Sequence, residues 1–213
     1  MIAVICGATG LVGSILVGKL LLDEEVSQVI SVSRNPLGLK SPKLKEIFIS
    51  ELSEISRHQS ELQGDIYFCC LGTTRKDAGT EERFKKVDYD AVFEFGRIAK
   101  THESRSFVLI STTGASSNSP FFYGRIKGEV ENALQKMNIK RLVIFRPSFL
   151  VGKRKAFRLG ERVFVGTVSL VSPILPGIIK KRLMTKAQDL AERMLIEGKN
   201  PHPGVFIIES HNI

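Results

Sequence analysis

Apolar residues fall into two kinds of run that alternate along the chain. Short continuous runs occur at Ile2–Cys6, Val29–Ser33, Ile47–Ile49, Asp65–Cys70, Phe107–Ser111, Arg141–Phe145 and Val205–Glu209. Runs of this length and apolarity read as strands buried on both faces. Between them, apolar positions recur at helical spacing: Leu11, Ile15, Leu16, Leu20 and Leu21, and later Phe84, Val87, Val92, Phe95 and Ile98. The second set lies in a helix expected from about residue 81 to 100, and further helices are expected over about 121–137 and 186–197. Thr185 offers an N-cap hydroxyl for the last of these. Strands separated by helices imply βαβ units with right-handed crossovers. The expected fold is therefore α/β, a doubly wound parallel sheet, formed by a single domain over residues 1–213. Residues 152–184 have mixed signals and read as a short C-terminal region covering a substrate site.

The first strand runs directly into GATGLVG, Gly7 to Gly13, and a helical pattern follows at once. A strand, a glycine turn and a helix in this order point bare N–H groups at a pyrophosphate. Gly7 permits the tight turn, Gly10 lets the backbone approach the phosphates, and Gly13 lets the helix pack near the strand. Thr9, Leu11 and Val12 complete the expected cradle. After the second strand, where an NAD-binding chain usually places an acid about twenty residues beyond the turn, this chain has Ser33 and Arg34. A guanidinium forks onto a phosphate with two hydrogen bonds, and Ser33 is expected to donate another. The expected cofactor is NADP(H) rather than NAD(H). Ligands of such sheets lie beyond the C-terminal strand ends, so Leu71, Gly72, Thr73 and Thr74 are expected to border the cofactor, the threonines through their hydroxyls.

Tyr123 and Lys127 lie four residues apart at the start of an expected helix and so share a face. An ammonium beside a phenol stabilises phenolate, which suits proton exchange with an alcohol or carbonyl. Ser111, Thr112 and Thr113 leave the end of the preceding strand, where a hydroxyl can hold the substrate oxygen.

GATGLVG, ISTTGA, YGRIK and FRPSFLVG, in this order and spacing, resemble the short-chain dehydrogenase/reductases of the atypical or extended kind. CCLGTTRKDAG and YGRIKGEVE are similar to the branch that includes the Tat-interacting oxidoreductase-like proteins and their bacterial relatives. The resemblance spans nearly the whole chain. It implies a Rossmann-type sheet, Tyr123 as acid/base, Lys127 orienting the cofactor, and Thr112 or Ser111 polarising the substrate, with Thr112 favoured. It also implies that Pro147, Ser148 and Leu150 contact the nicotinamide end. Many members carry an asparagine on the helix after the fourth strand to organise a proton relay. Here Asp88 is the nearest polar stand-in. The expected activity is oxidoreduction of a small carbonyl or alcohol substrate. A binding-only, regulatory or scaffolding use of the same fold is the alternative.

Composition adds little to this picture, but charge does. The net charge is +9, and nine basic residues against one acid fall between Lys153 and Lys186. This segment suits an anionic partner: a phosphate-bearing cofactor or, by peripheral contact around Val163–Ile179, a membrane surface. No aromatic interleaving or nucleic-acid motif accompanies it, so nucleic acid is not expected. A homo-oligomer is compatible with the sequence. Cys6, Cys69 and Cys70 fall in expected strands without metal-ligand spacing, and His58, His102, His202 and His211 have none either, so no metal is expected. Unpaired cysteines, and a first strand that leaves no room for a targeting peptide, lead to the expectation of a cytoplasmic protein.

Overall fold

The computed structural model describes residues 1–152 and 184–213. Strands β1 (Ile2–Cys6), β2 (Gln28–Ser33), β3 (Leu44–Phe48), β4 (Ile66–Cys69), β5 (Ser106–Ile110), β6 (Arg141–Arg146) and β9 (Gly204–Glu209) form one seven-stranded sheet in the order β3-β2-β1-β4-β5-β6-β9. Every neighbouring pair is parallel. The order reverses between β1 and β4, so the crevice of a doubly wound sheet opens there. A parallel pair of short strands, β7 (Phe149–Val151) and β8 (Met184–Lys186), stands apart from the sheet.

Helices cover both faces. On one face, α1 (Leu11–Leu22) and α6 (Ala187–Lys199) bury Leu16, Val17, Leu20, Leu190 and Met194 against Ile5, Phe68, Val108 and Phe145. On the other, α4 (Ala91–Thr101) and α5 (Phe122–Gln135) bury Val92, Phe95, Ile98, Val130 and Leu134 against Tyr67, Phe107 and Leu142. The central strands alternate between these two cores, which explains why they are apolar at nearly every position.

Several local expectations need correction. The buried face of α1 centres on Val12, Leu16, Val17 and Leu20, while Leu11, Ile15 and Leu21 are only partly covered. This helix is apolar nearly all round, so periodicity alone could not find its inner face. The third strand lies earlier, at Leu44–Phe48. The helix expected over 81–100 is three pieces: α3 (Glu81–Lys85), a π-helical stretch at Lys86–Asp90, and α4. The π turn adds a residue and shifts the phase, so Asp88 is buried and Val87 only half-buried. Thr185 does not cap α6: it pairs within β8, and Lys186 precedes the helix without a side-chain cap. The 3-10 stretch Leu52–Glu61 and the one-turn helix α2 (Arg75–Ala78) have no clear apolar period and were not expected. Apart from its end residues Gly152 and Met184, the substrate-covering region expected over 152–184, with most of the basic segment and all of Val163–Ile179, lies outside the described residues. Among the described residues, no helix is long and apolar enough to cross a membrane.

Candidate active site

Because the seven strands are parallel, the loops after β1, β2, β4, β5 and β6 all emerge at one edge of the sheet. Each segment singled out from the sequence, from Gly7 to Leu150, belongs to that edge.

Gly7 turns the chain off β1 with φ +84°, and a Cβ there would lie 2.5 Å from the backbone of Cys70. Gly10 precedes α1 in extended conformation and donates its N–H to the Gly7 carbonyl at 3.0 Å. A Cβ on Gly13 would run into that same carbonyl oxygen. No side chain caps α1, and Thr9 is exposed beside the turn, with Leu11 half-buried and Val12 buried. A backbone-only cradle at an uncapped helix N-terminus fits a dinucleotide pyrophosphate, and here Gly7 and Gly13 are required by packing as well.

Arg34 is exposed beyond β2 and has no hydrogen bond or ion pair among the described residues. Ser33 differs from expectation. Its hydroxyl donates to the Asn35 carbonyl at 2.7 Å, so it shapes the loop and has no proton left for a phosphate.

Beyond β4, Leu71 is buried and Gly72 exposed. Thr73 donates its N–H to Asp88 Oδ2 at 2.9 Å. The threonine hydroxyls are turned to local bonds. Thr74 caps α2, accepting from Asp77 N–H at 3.1 Å and donating to Asp77 Oδ2 at 2.8 Å, while Thr73 Oγ1 lies 3.4 Å from the Thr74 carbonyl. Cys70, just past β4, is half-buried, whereas Cys6 and Cys69 are fully buried. Burial pushes all three thiols up, Cys69 to about 12, which disfavours the thiolate.

Tyr123 and Lys127 lie on α5. Tyr123 is 40% exposed, packs its ring on Phe84 at 5.4 Å, and has no hydrogen-bond partner among the described residues. Lys127 is buried, and its Nζ lies 2.6 Å from Asp88 Oδ1. Burial favours loss of the lysine proton. The Asp88 carboxylate, with a smaller contribution from Tyr123, outweighs it and holds the ammonium above its ordinary pKa. A Cβ on Gly72 would lie 3.6 Å from Asp88 Oδ1 and 3.7 Å from Lys127 Nζ, so the bare loop backbone borders this pair closely.

The two hydroxyls beyond β5 have different environments. Ser111 is buried and donates to Glu131 Oε1. Glu131 in turn pairs with Arg146 Nη2 at 2.5 Å, and Arg146 Nη1 reaches Glu209 at 3.0 Å. Thr112 is half-buried and its hydroxyl has no partner among the described residues. Pro147 is buried and its carbonyl accepts the Thr113 N–H at 3.0 Å. Ser148 donates its N–H to Thr185 Oγ1 at 3.3 Å, and Leu150 packs on the α1 side of the core. Phe122 packs against Phe84, whereas Phe121 is largely exposed. Among the histidines, His58 pairs with Glu61 and His102 with the Gln59 carbonyl. No group of three or more potential metal ligands occurs among the described residues.

The Asp88–Lys127 pair was visible in sequence only as an acid near the expected position of an asparagine. Glu131 and Arg146 were not singled out. Their one signal is charge at positions flanked by core residues, Glu131 one helical turn after Lys127 and Arg146 at the end of an apolar strand.

No family model matches the chain. The mitochondrial protein FMP52 of Meyerozyma guilliermondii is 35% identical over 227 aligned positions, covering 100% of this chain and 94% of that protein. Rat protein HTATIP2 is 34% identical, covering 77% of this chain and 75% of its own. Among solved structures, MoeE5 in complex with UDP-glucose and NAD superposes with a TM-score of 0.73 at 15% identity, over 98% of this chain and 75% of that one. This likeness shows a shared Rossmann-type fold. The cytoplasmic expectation is corrected by the relatives, since the FMP52 proteins are mitochondrial by name. Free thiols separate reducing from oxidising compartments and cannot tell one reducing compartment from another. With aligned identity along its full length and a Rossmann-type sheet beneath it, the chain belongs to the family of the FMP52 and HTATIP2 proteins.

Proposed function

We propose that the protein is an NADP(H)-dependent oxidoreductase of the short-chain dehydrogenase/reductase type, acting on a carbonyl or alcohol carbon of a small molecule. NADP(H), when bound, supplies or accepts the hydride. The N-terminus of α1 holds the pyrophosphate and Arg34 the 2′-phosphate. Lys127 has three donor hydrogens and one ion-pair partner among the described residues, which leaves donors for the ribose hydroxyls. Thr112 donates to the substrate oxygen. In reduction Tyr123 Oη delivers its proton to that oxygen, and in oxidation it takes the proton back. The nearby ammonium stabilises the phenolate left behind.

One observation carries this reading. Two unpartnered hydroxyls among the described residues, of Thr112 after β5 and Tyr123 on α5, lie on the segments that follow the fifth strand, with the buried, charged Lys127 one turn along α5 from Tyr123. The test is titration with NADPH and NADH followed by nicotinamide fluorescence, then a panel of carbonyl substrates followed at the NADPH absorbance. NADPH binds more tightly, and Tyr123→Phe lowers turnover by about 10²–10⁴-fold while leaving cofactor affinity intact. Equal affinity for the two cofactors, unchanged by Arg34→Ala, removes the NADP assignment. NADPH binding with no turnover across the panel removes the oxidoreductase and leaves a binding protein.

A further inference from the structure

Asp88 stands out among the buried charges of the molecule. It is fully buried, it lies on the one π-helical stretch among the described residues, and its two oxygens face two parts of the site. Oδ1 meets the ammonium of Lys127 at 2.6 Å, and Oδ2 accepts the backbone N–H of Thr73 at 2.9 Å. The π turn is what makes this possible. In a regular helix the inward position would fall to another residue, whereas the extra residue in the turn carries a carboxylate into the space behind the β4 loop.

We infer that Asp88 is a positioning residue that keeps Lys127 protonated and aimed, and ties it to the Leu71–Thr74 loop along the cofactor crevice. The inference rests on the oxidoreductase reading for its catalytic consequence, but not for the state of the lysine. An asparagine here has a single oxygen, which can accept from Thr73 or face Lys127, and its –NH2 meets a donor at the other position. It would bring no charge, and a fully buried ammonium without a counter-charge gives up its proton. The other groups facing Lys127 cannot replace that charge. Tyr123, one turn earlier on α5, and Cys69, at the end of β4, are both neutral when protonated, and Glu131, one turn later, is paired with Arg146. The identity of residue 88 thus sets the pH range over which Lys127 can donate to ribose hydroxyls.

The experiment uses the full chain labelled with ¹³C at lysine Cε, with the Lys127 signal assigned by its loss in Lys127→Met. In the wild-type protein Lys127 stays protonated past the ordinary lysine pKa. Loss of the Lys127 proton below the ordinary lysine value overturns the inference whether or not any variant folds. In Asp88→Asn the Lys127 titration moves to lower pH. NADPH affinity then falls about tenfold as pH rises through that titration, the size expected for one lost charge-assisted hydrogen bond, while the wild-type affinity stays level. An Asp88→Asn protein whose NADPH affinity has the wild-type pH dependence shows a merely structural pair and also overturns it. If wild-type protein fails to bind NADPH, the oxidoreductase reading falls, and the lysine titration still decides the state of the pair.

Discussion

Helix α5 buries two charges one turn apart, Lys127 and Glu131, and they do different work. Glu131 is saturated. It accepts from Ser111 Oγ and from two nitrogens of Arg146, which also reaches Glu209. That network joins α5 to the ends of β5, β6 and β9 and leaves nothing to offer a ligand. Lys127 has three donors and a single ion-pair partner among the described residues, and it faces a glycine loop. Burial and charge alone do not separate a brace from a site, because both residues have them. The number of unmet bonds separates them, since a buried polar group with capacity to spare costs stability unless something else uses it.

The comparison can be tested at its extremes. Lys127→Met is expected to have the largest effect: on the proposed reading it removes the ammonium assigned to the ribose and the phenolate, lowering turnover by orders of magnitude. Steady-state kinetics beside a thermal melt distinguishes this from unfolding. Glu131→Ala is expected to strand the Ser111 hydroxyl and leave the Arg146 guanidinium with Glu209 alone, with a cost of about 3 kcal/mol in chemical denaturation and a smaller effect on cofactor affinity of the molecules that remain folded. If Glu131→Ala instead removed turnover without loss of stability, the brace and the site would have been assigned the wrong way round. Arg34→Ala is expected to weaken NADPH but not NADH binding by about 10–100-fold, as for a charge-assisted hydrogen bond to phosphate.

The smallest effect is on pH-dependent stability. The pKa of Lys127 is raised in the folded protein. Its contribution is therefore complete below the unfolded lysine value of about 10.4 and is lost as pH rises through the higher folded value. Denaturation of wild type and Lys127→Met should differ by a constant amount through neutral pH and converge only in strong alkali. Convergence near neutrality would mean that the ammonium is not held by Asp88.

The sheet was legible in sequence because its central parallel strands, covered on both faces, leave continuous apolar runs; the edge strands β3 and β9 depart from that expectation, with Phe48, Val205 and Ile207 exposed. The glycine turn was legible because backbone sterics leave few alternatives to glycine at Gly7 and Gly13. Hydroxyl roles were less legible. Ser33, Ser111 and Thr74 sit at the expected edge, but Ser111 bonds Glu131, twenty residues on, which only the folded chain brings close, while Ser33 and Thr74 turn to the local partners Asn35 and Asp77, two and three residues on. Asp88 was harder still, because a π turn shifts the helical phase and has no compositional mark. Spacing that assumes a regular helix found Phe84, Val92, Phe95 and Ile98, which are all buried, but placed Val87 inward where the π turn puts Asp88.

The contact between Gly7 and Cys70 has a consequence for how this protein can change over time. The turn after the first strand and the loop after the fourth meet backbone to backbone, too closely for even a methyl group between them. Neither segment is free to drift alone. An insertion or a shift of register near residue 70 would be transmitted to the glycine turn more than sixty positions earlier in the chain. Lineages that retune the later loop are therefore expected to do so by exchanging side chains on a fixed main-chain path, and to keep its length.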